Sequence, residues 1–176
     1  MKYGNEVCDL YKKIPRELLN KLFESSKCSA ELDFTFLGFE EPYQKVLELV
    51  PKDMVIIDLG CSYACQSWYF KEHERYIGVD AFTTGNSVLH TENSEFYFET
   101  IQTFIKKTLP ALNLDVNHVF AVCSAVPDKE ARQMVRDTFP HYLDWYPGEE
   151  INIQISVDRN ALGESELDEA EEEKEV

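Results

Sequence analysis

No stretch of this chain approaches the ~18 unbroken apolar residues of a membrane-spanning helix, so no membrane association is expected. The first residues, "MKYGNEVCDLYKKIPREL", are charged and lack the apolar centre of a signal peptide, which makes a cytoplasmic location the expectation. Positive charge is scarce: 17 Lys and Arg stand against 33 Asp and Glu, for a net charge of −16. A protein that tracks a phosphate backbone needs a basic surface, so direct nucleic-acid backbone binding is not expected. The five cysteines (Cys8, Cys28, Cys61, Cys65, Cys123) are odd in number and follow no disulfide framework, consistent with reduced thiols. Cys61 and Cys65 are four apart with His73 eight further on, but a zinc site wants a second matched pair and none follows. No metal is therefore expected. No internal repeat is visible either.

What is present is a chain of 176 residues, 44% hydrophobic and 12% aromatic, enough for one domain with its own core. The acidity is uneven. Residues 161–176, "ALGESELDEAEEEKEV", carry −7 of the net charge and few groups able to bury, so a disordered tail is expected after a single domain over 1–160. Residues 1–38 read as an N-terminal extension with a helix over about 15–27, where Pro15 suits a helix start and Leu18, Leu19, Leu22 and Phe23 share a face. "EPYQKVLELV" gives a second short helix with Tyr43, Val46, Leu47 and Val50 inward, ended by Pro51.

From residue 53 onward strand and helix patterns alternate. "DMVIIDLG" has no polar alternation, as a strand covered on both faces should. "ACQSWYFKEH" reads as a helix and "RYIGVD" as a strand, followed by the 14-residue connection "AFTTGNSVLHTENS". "EFYFET" is strand-like, "IQTFIKKTLPAL" helical until Pro110, and "VNHVFAVCS" a fourth strand. "DKEARQMVRDTF" is a helix with Asp128 placed as its cap, and "EEINIQISV" alternates like a half-exposed edge strand. "FPHYLDWYPG" reads as an aromatic loop that covers the cleft, forms a partner surface or packs on the open edge. The expected fold is α/β: a Rossmann-like, open, mainly parallel sheet of about five strands, with helices on both faces and an N-terminal helix. The exposed "INIQIS" edge or the aromatic loop offers a homodimer contact.

The chemistry concentrates in "VIIDLGCSYACQSWYFKEHERYIGVD", residues 55 to 80. In an open parallel sheet, ligands bind beyond the carboxyl ends of the strands, where the strand order reverses. Gly60 permits a tight turn after the first strand, and Asp80 ends the second, suited to accept from both ribose hydroxyls. A dinucleotide fingerprint wants three glycines to admit a pyrophosphate, whereas here Ser62, Tyr63 and Ala64 follow Gly60 and would crowd one. The alternative is a plain structural turn with Asp80 as a cap.

This pattern resembles the class I S-adenosylmethionine-dependent methyltransferases over roughly residues 40–158. "VIIDLGCSYA" looks like their first motif, an apolar strand followed by D-x-G-x-G-x-G, and "YIGVDAF" is similar to the second. The resemblance implies S-adenosylmethionine as cofactor. Asp58 would then orient the turn, while Gly60, Cys61, Ser62 and Tyr63 line the methionine moiety. Asp80 would hold the ribose, Ala81 and Phe82 flank the adenine, Thr100 and Ile101 lie at its edge, and Cys123 closes the fourth strand beside the substrate loop. The fourth strand ends in "CSAVPD" and not in [DNS]-P-P-[YF], which removes amino-methylation of nucleic acid as the default; a small-molecule methyl acceptor is the expectation kept. After "INIQISVDRN" only the acidic tail remains, where the family's sheet has seven strands. No catalytic base is identified, although His90 lies in the loop nearest the expected cleft. From another class comes a second reading, a catalytically degenerate interaction protein, with an acidic nucleic-acid mimic or inhibitor as a variant.

Overall fold

The computed structural model describes residues 13–26, 40–85 and 88–156. The acidic tail, most of the N-terminal extension and the thiols Cys8 and Cys28 lie outside the described residues. Two helices, α1 (Arg16–Ser26) and α2 (Glu40–Leu49), precede the sheet, close to their sequence boundaries. The strands are β1 (Val55–Leu59), β2 (Arg75–Val79), β3 (Ser94–Tyr97), β4 (Val119–Ser124), β5 (Tyr142–Trp145) and β6 (Asn152–Gln154). They form one sheet in the order β3-β2-β1-β4-β5-β6. All neighbours run parallel except β6, which pairs antiparallel with β5 through Leu143 opposite Ile153. This is a Rossmann-like arrangement, with β1 and β4 at its centre.

Successive β1 side chains point to opposite faces, and both faces are covered, so the strand reads as an unbroken apolar run. Ile56 joins Tyr43, Val46, Phe70, Tyr76, Phe120 and Trp145 on one face, beneath α2. Val55, Ile57 and Leu59 join Val79, Phe104, Val135 and Phe139 on the other, where α5 (Lys129–Thr138) packs. Each such side chain, fully buried, stabilises the fold by about 1.5–3 kcal/mol. Among the described residues no helix is long and apolar enough to cross a membrane.

Three expectations need correction. The sheet has six strands, because "YLDW" is an interior strand and not a loop. Asp144 disguised it: this buried carboxylate is tolerated because Arg132 and Arg136 of α5 both pair with it. "ACQSWYFKEH" forms only a 3₁₀ helix over Cys65–Phe70. Its polar side chains turn inward, with Ser67 Oγ donating to the Leu89 carbonyl at 3.0 Å and Gln66 reaching back to β1. Finally, the helix after β3 continues through Pro110. It runs as α3 (Ile101–Thr103), a π-helical turn (Phe104–Thr108) and α4 (Leu109–Leu112). Pro110 falls in the first turn of α4, where a missing N–H matters least, and Asn113 in the left-handed region ends it.

Candidate functional site

The strand order reverses between β1 and β4, and a cavity of about 490 Å³ opens at the carboxyl ends of the parallel strands beside that point. Gly60 and Ser62 bound it from the turn after β1, and Val79 to Phe82 from the end of β2. Residues 99–102 after β3, residues 125–128 after β4, and Ala131 on α5 complete the wall. Its size falls within the ~300–1,000 Å³ of ordinary small-molecule sites.

The turn owes its shape to left-handed backbone at alternate residues: Gly60 (φ 84°), Ser62 (φ 52°) and Ala64 (φ 55°). These are the three glycine positions of the D-x-G-x-G-x-G pattern. The backbone keeps the glycine conformation where the side chains are not glycine, at a cost of about 1–2 kcal/mol for each L-residue. Across the cavity Ala125 (φ 58°) is held likewise. Gly60 itself has no room for a side chain, since a Cβ would sit 2.9 Å from Val126 Cγ2.

Asp80 joins the two strand ends. One carboxylate oxygen accepts from the Ser62 N–H at 2.9 Å and the other from the Phe82 N–H at 2.7 Å. An ionised carboxylate has about four acceptor sites, so two remain for ligand hydroxyls. Phe82 is 98% exposed and presents its ring at the rim. Thr100 caps the following helix, its Oγ1 accepting from the Thr103 N–H at 3.1 Å, and Ile101 is buried in the wall. The sequence-derived residues Gly60, Ser62, Asp80, Ala81, Phe82, Thr100 and Ile101 thus converge on one cavity.

Asp58, Cys61, Tyr63 and Cys123 are not in its wall. Asp58 is fully buried on the α2 face, accepting from Tyr43 Oη (2.9 Å), Tyr76 Oη (2.5 Å) and Gln66 Nε2 (2.7 Å). Burial pushes its carboxyl up to about 6, although the three hydrogen bonds from Tyr76, Gln66 and Tyr43 oppose the rise. The Cys61 side chain tucks beneath Gly78, and Tyr63 packs against the α2-side core. Cys123 is buried, its thiol pushed up to about 12 mainly by loss of solvent, so neither it nor Cys61 is a reactive thiolate. His90 is held by the Gly85 carbonyl at 2.9 Å and lies outside the wall.

Sequence reasoning missed Glu99, Gln102 and the segment 125–128. Gln102 Nε2 donates to Asp128 Oδ2 at 2.7 Å and ties the third wall to the fourth. Asp128 also caps α5, and these bonds hold its carboxyl below the usual range. The signal available was position alone, because every parallel strand here delivers its following loop to this end. The wall carries three carboxylates (Asp80, Glu99, Asp128) and no lysine or arginine. Such a field disfavours phosphate and suits a neutral or cationic ligand. Among the described residues no group of three or more metal-ligating side chains is assembled.

No family model matches the sequence, and no curated protein does. Among solved structures, a candidate type II methyltransferase from Anaeromyxobacter dehalogenans is similar at 15% identity and a TM-score of 0.43. The likeness covers 60% of this chain and 46% of that one, so this chain spans less than half of that protein. The Rossmann-like assignment rests on the strand order itself.

Proposed function

We propose that the cavity binds the adenosyl portion of S-adenosylmethionine and that the protein is a methyltransferase acting on a small molecule. The observation that carries this reading is the Asp80 carboxylate, fixed against the Gly60 turn at the mouth of a cavity with no basic side chain. Asp80 would accept from the ribose hydroxyls, Ala81 and Phe82 would flank the base, and Thr100 and Ile101 would meet its edge. Gly60 and Ser62 would let the rest of the ligand approach the backbone. When bound, S-adenosylmethionine supplies a methyl group on a positively charged sulfur, a centre at home beside carboxylates. Methyl transfer is an in-line displacement, and holding two reactants in line supplies much of its rate. His90 is turned to the Gly85 carbonyl and is not assigned a role.

A degenerate interaction protein would be favoured by a side chain filling the cleft. Tyr63, the bulkiest residue of the turn, packs instead against the α2-side core and is outside the cavity wall, which supports the open-site reading. Isothermal titration tests it. Binding of S-adenosylmethionine and S-adenosylhomocysteine at least tenfold tighter than ATP or NAD is expected, with loss in Asp80→Ala. Absence of heat from both adenosyl ligands at millimolar concentration would sink the proposal.

A further inference from the structure

The turn that forms one wall of the cavity holds two non-glycine residues, Ser62 and Ala64, in backbone that glycine adopts freely and other residues resist. Strain of this kind persists only where the surroundings over-determine it. Several backbone bonds contribute. The N–H groups of Gly60 and Cys61 both donate to the Val79 carbonyl at 2.8 and 3.1 Å, and the Leu89 N–H donates to the Tyr63 carbonyl at 2.8 Å. These bonds tie the residues on either side of the strained pair to the end of β2 and to the loop at Leu89.

Gln66 adds a tie from the turn to β1. It is 3% exposed, lying under the turn at the start of the 3₁₀ helix. Its Nε2 donates to the Cys61 carbonyl at 2.9 Å and to Asp58 Oδ2 at 2.7 Å, with Tyr43 Oη at 3.3 Å. The Cys61 carbonyl belongs to the peptide that leads into Ser62, and it also accepts the Ala64 N–H at 2.9 Å. Fixing its direction from below fixes ψ at Cys61 and leaves Ser62 and Ala64 to close the turn in the left-handed region. Above the turn, Asp80 takes the Ser62 N–H.

We propose that Gln66 is the positioning residue of this turn: braced on Asp58, its amide holds the Cys61 carbonyl and imposes the backbone that glycines would otherwise supply. Gln66 is outside the cavity wall and acts on a ligand only through the turn. The consequence for binding rests on the adenosyl reading above, whereas the conformational claim stands without it.

The test replaces Gln66 by methionine, similar in length and without a donor, in two backgrounds: the natural chain, and the chain carrying Ser62→Gly with Ala64→Gly. Backbone NMR shifts report φ at residues 62 and 64, and titration with S-adenosylhomocysteine reports affinity. In the natural background Gln66→Met is expected to release residues 62 and 64 from positive φ and weaken binding about tenfold. With glycine at both positions, φ and affinity should recover to within about threefold of the glycine background alone. A buried amide whose role is merely to satisfy the core gives no such rescue. Unchanged φ in a folded Gln66→Met protein overturns the proposal, as does loss of folding in both backgrounds. Loss of folding in the natural background alone, rescued by the glycines, supports it. If the natural protein binds no adenosyl ligand, the proposed function fails while φ still decides the role of Gln66.

Discussion

Asp58 makes the pH dependence of stability run against the usual direction for a carboxylate. Its side chain is fully buried, and burial raises its carboxyl from 3.8 to about 6. Below about pH 3 the group is protonated in both the folded and the unfolded chain. From about pH 3 to 6 the unfolded chain releases the proton while the fold retains it, so rising pH favours unfolding. Above pH 6 both forms are ionised and the loss is complete. At about 1.36 kcal/mol per tenfold change in acidity, the group's contribution falls by about 3 kcal/mol across this window. The other carboxylates act in the same range, so the measurement is a difference against Asp58→Asn, which does not titrate. Urea unfolding at pH 3, 4, 5, 6 and 7 should show the natural protein losing about 3 kcal/mol relative to Asp58→Asn as pH rises. A flat difference, or one that grows in favour of the natural protein, would mean that the Tyr76, Gln66 and Tyr43 donors outweigh burial, and would refute the reasoning.

Other expectations rest on single contacts. Ser62→Gly and Ala64→Gly should each raise the melting temperature by about 2–4 °C, since strain of about 1 kcal/mol is relieved at each site; a fall would contradict the left-handed assignment. Gly60→Ala should destabilise and weaken adenosyl binding together, because its Cβ would meet Val126 at 2.9 Å in backbone already at φ 84°. Thermal melting and titration of one sample check this. Asp128→Ala removes the cap of α5 and its bond from Gln102, and denaturant unfolding should record a lower midpoint than the natural protein's. Asp144→Ala leaves Arg132 and Arg136 without their shared buried partner, and the same assay should record a loss of about 3 kcal/mol or more.

The central strands were legible because burial on both faces removes polar alternation, as in Val55–Leu59, and few other structures produce such a run. The turn was legible for a related reason: Gly60 and Asp80 sit at successive strand ends that pairing brings together. The strand Tyr142–Trp145 was not legible. Its one carboxylate and bulky aromatics resemble a loop until the α5 arginines that neutralise Asp144 are seen, ten or so residues earlier in the chain. The short 3₁₀ helix escaped because its polar side chains turn inward, Gln66 to Asp58 of β1 and Ser67 to the Leu89 carbonyl 22 residues on, which local sequence does not reveal. Of the site, the contributions of β1 and β2 were readable as a motif. Glu99, Gln102 and Asp128 carry no local signature, and only the sheet order assembles them. Cys61, Tyr63 and Cys123 lie in the turn and at a strand end, but their side chains turn into the cores or pack against them, a distinction that depends on which way each residue faces.

The adenosyl reading is tested most directly by a structure of the protein grown with S-adenosylhomocysteine. The ligand is expected in the cavity beside Gly60, with both ribose hydroxyls on Asp80 and the base against Phe82. A cavity left empty at saturating ligand, or a ligand bound away from Asp80, would contradict it.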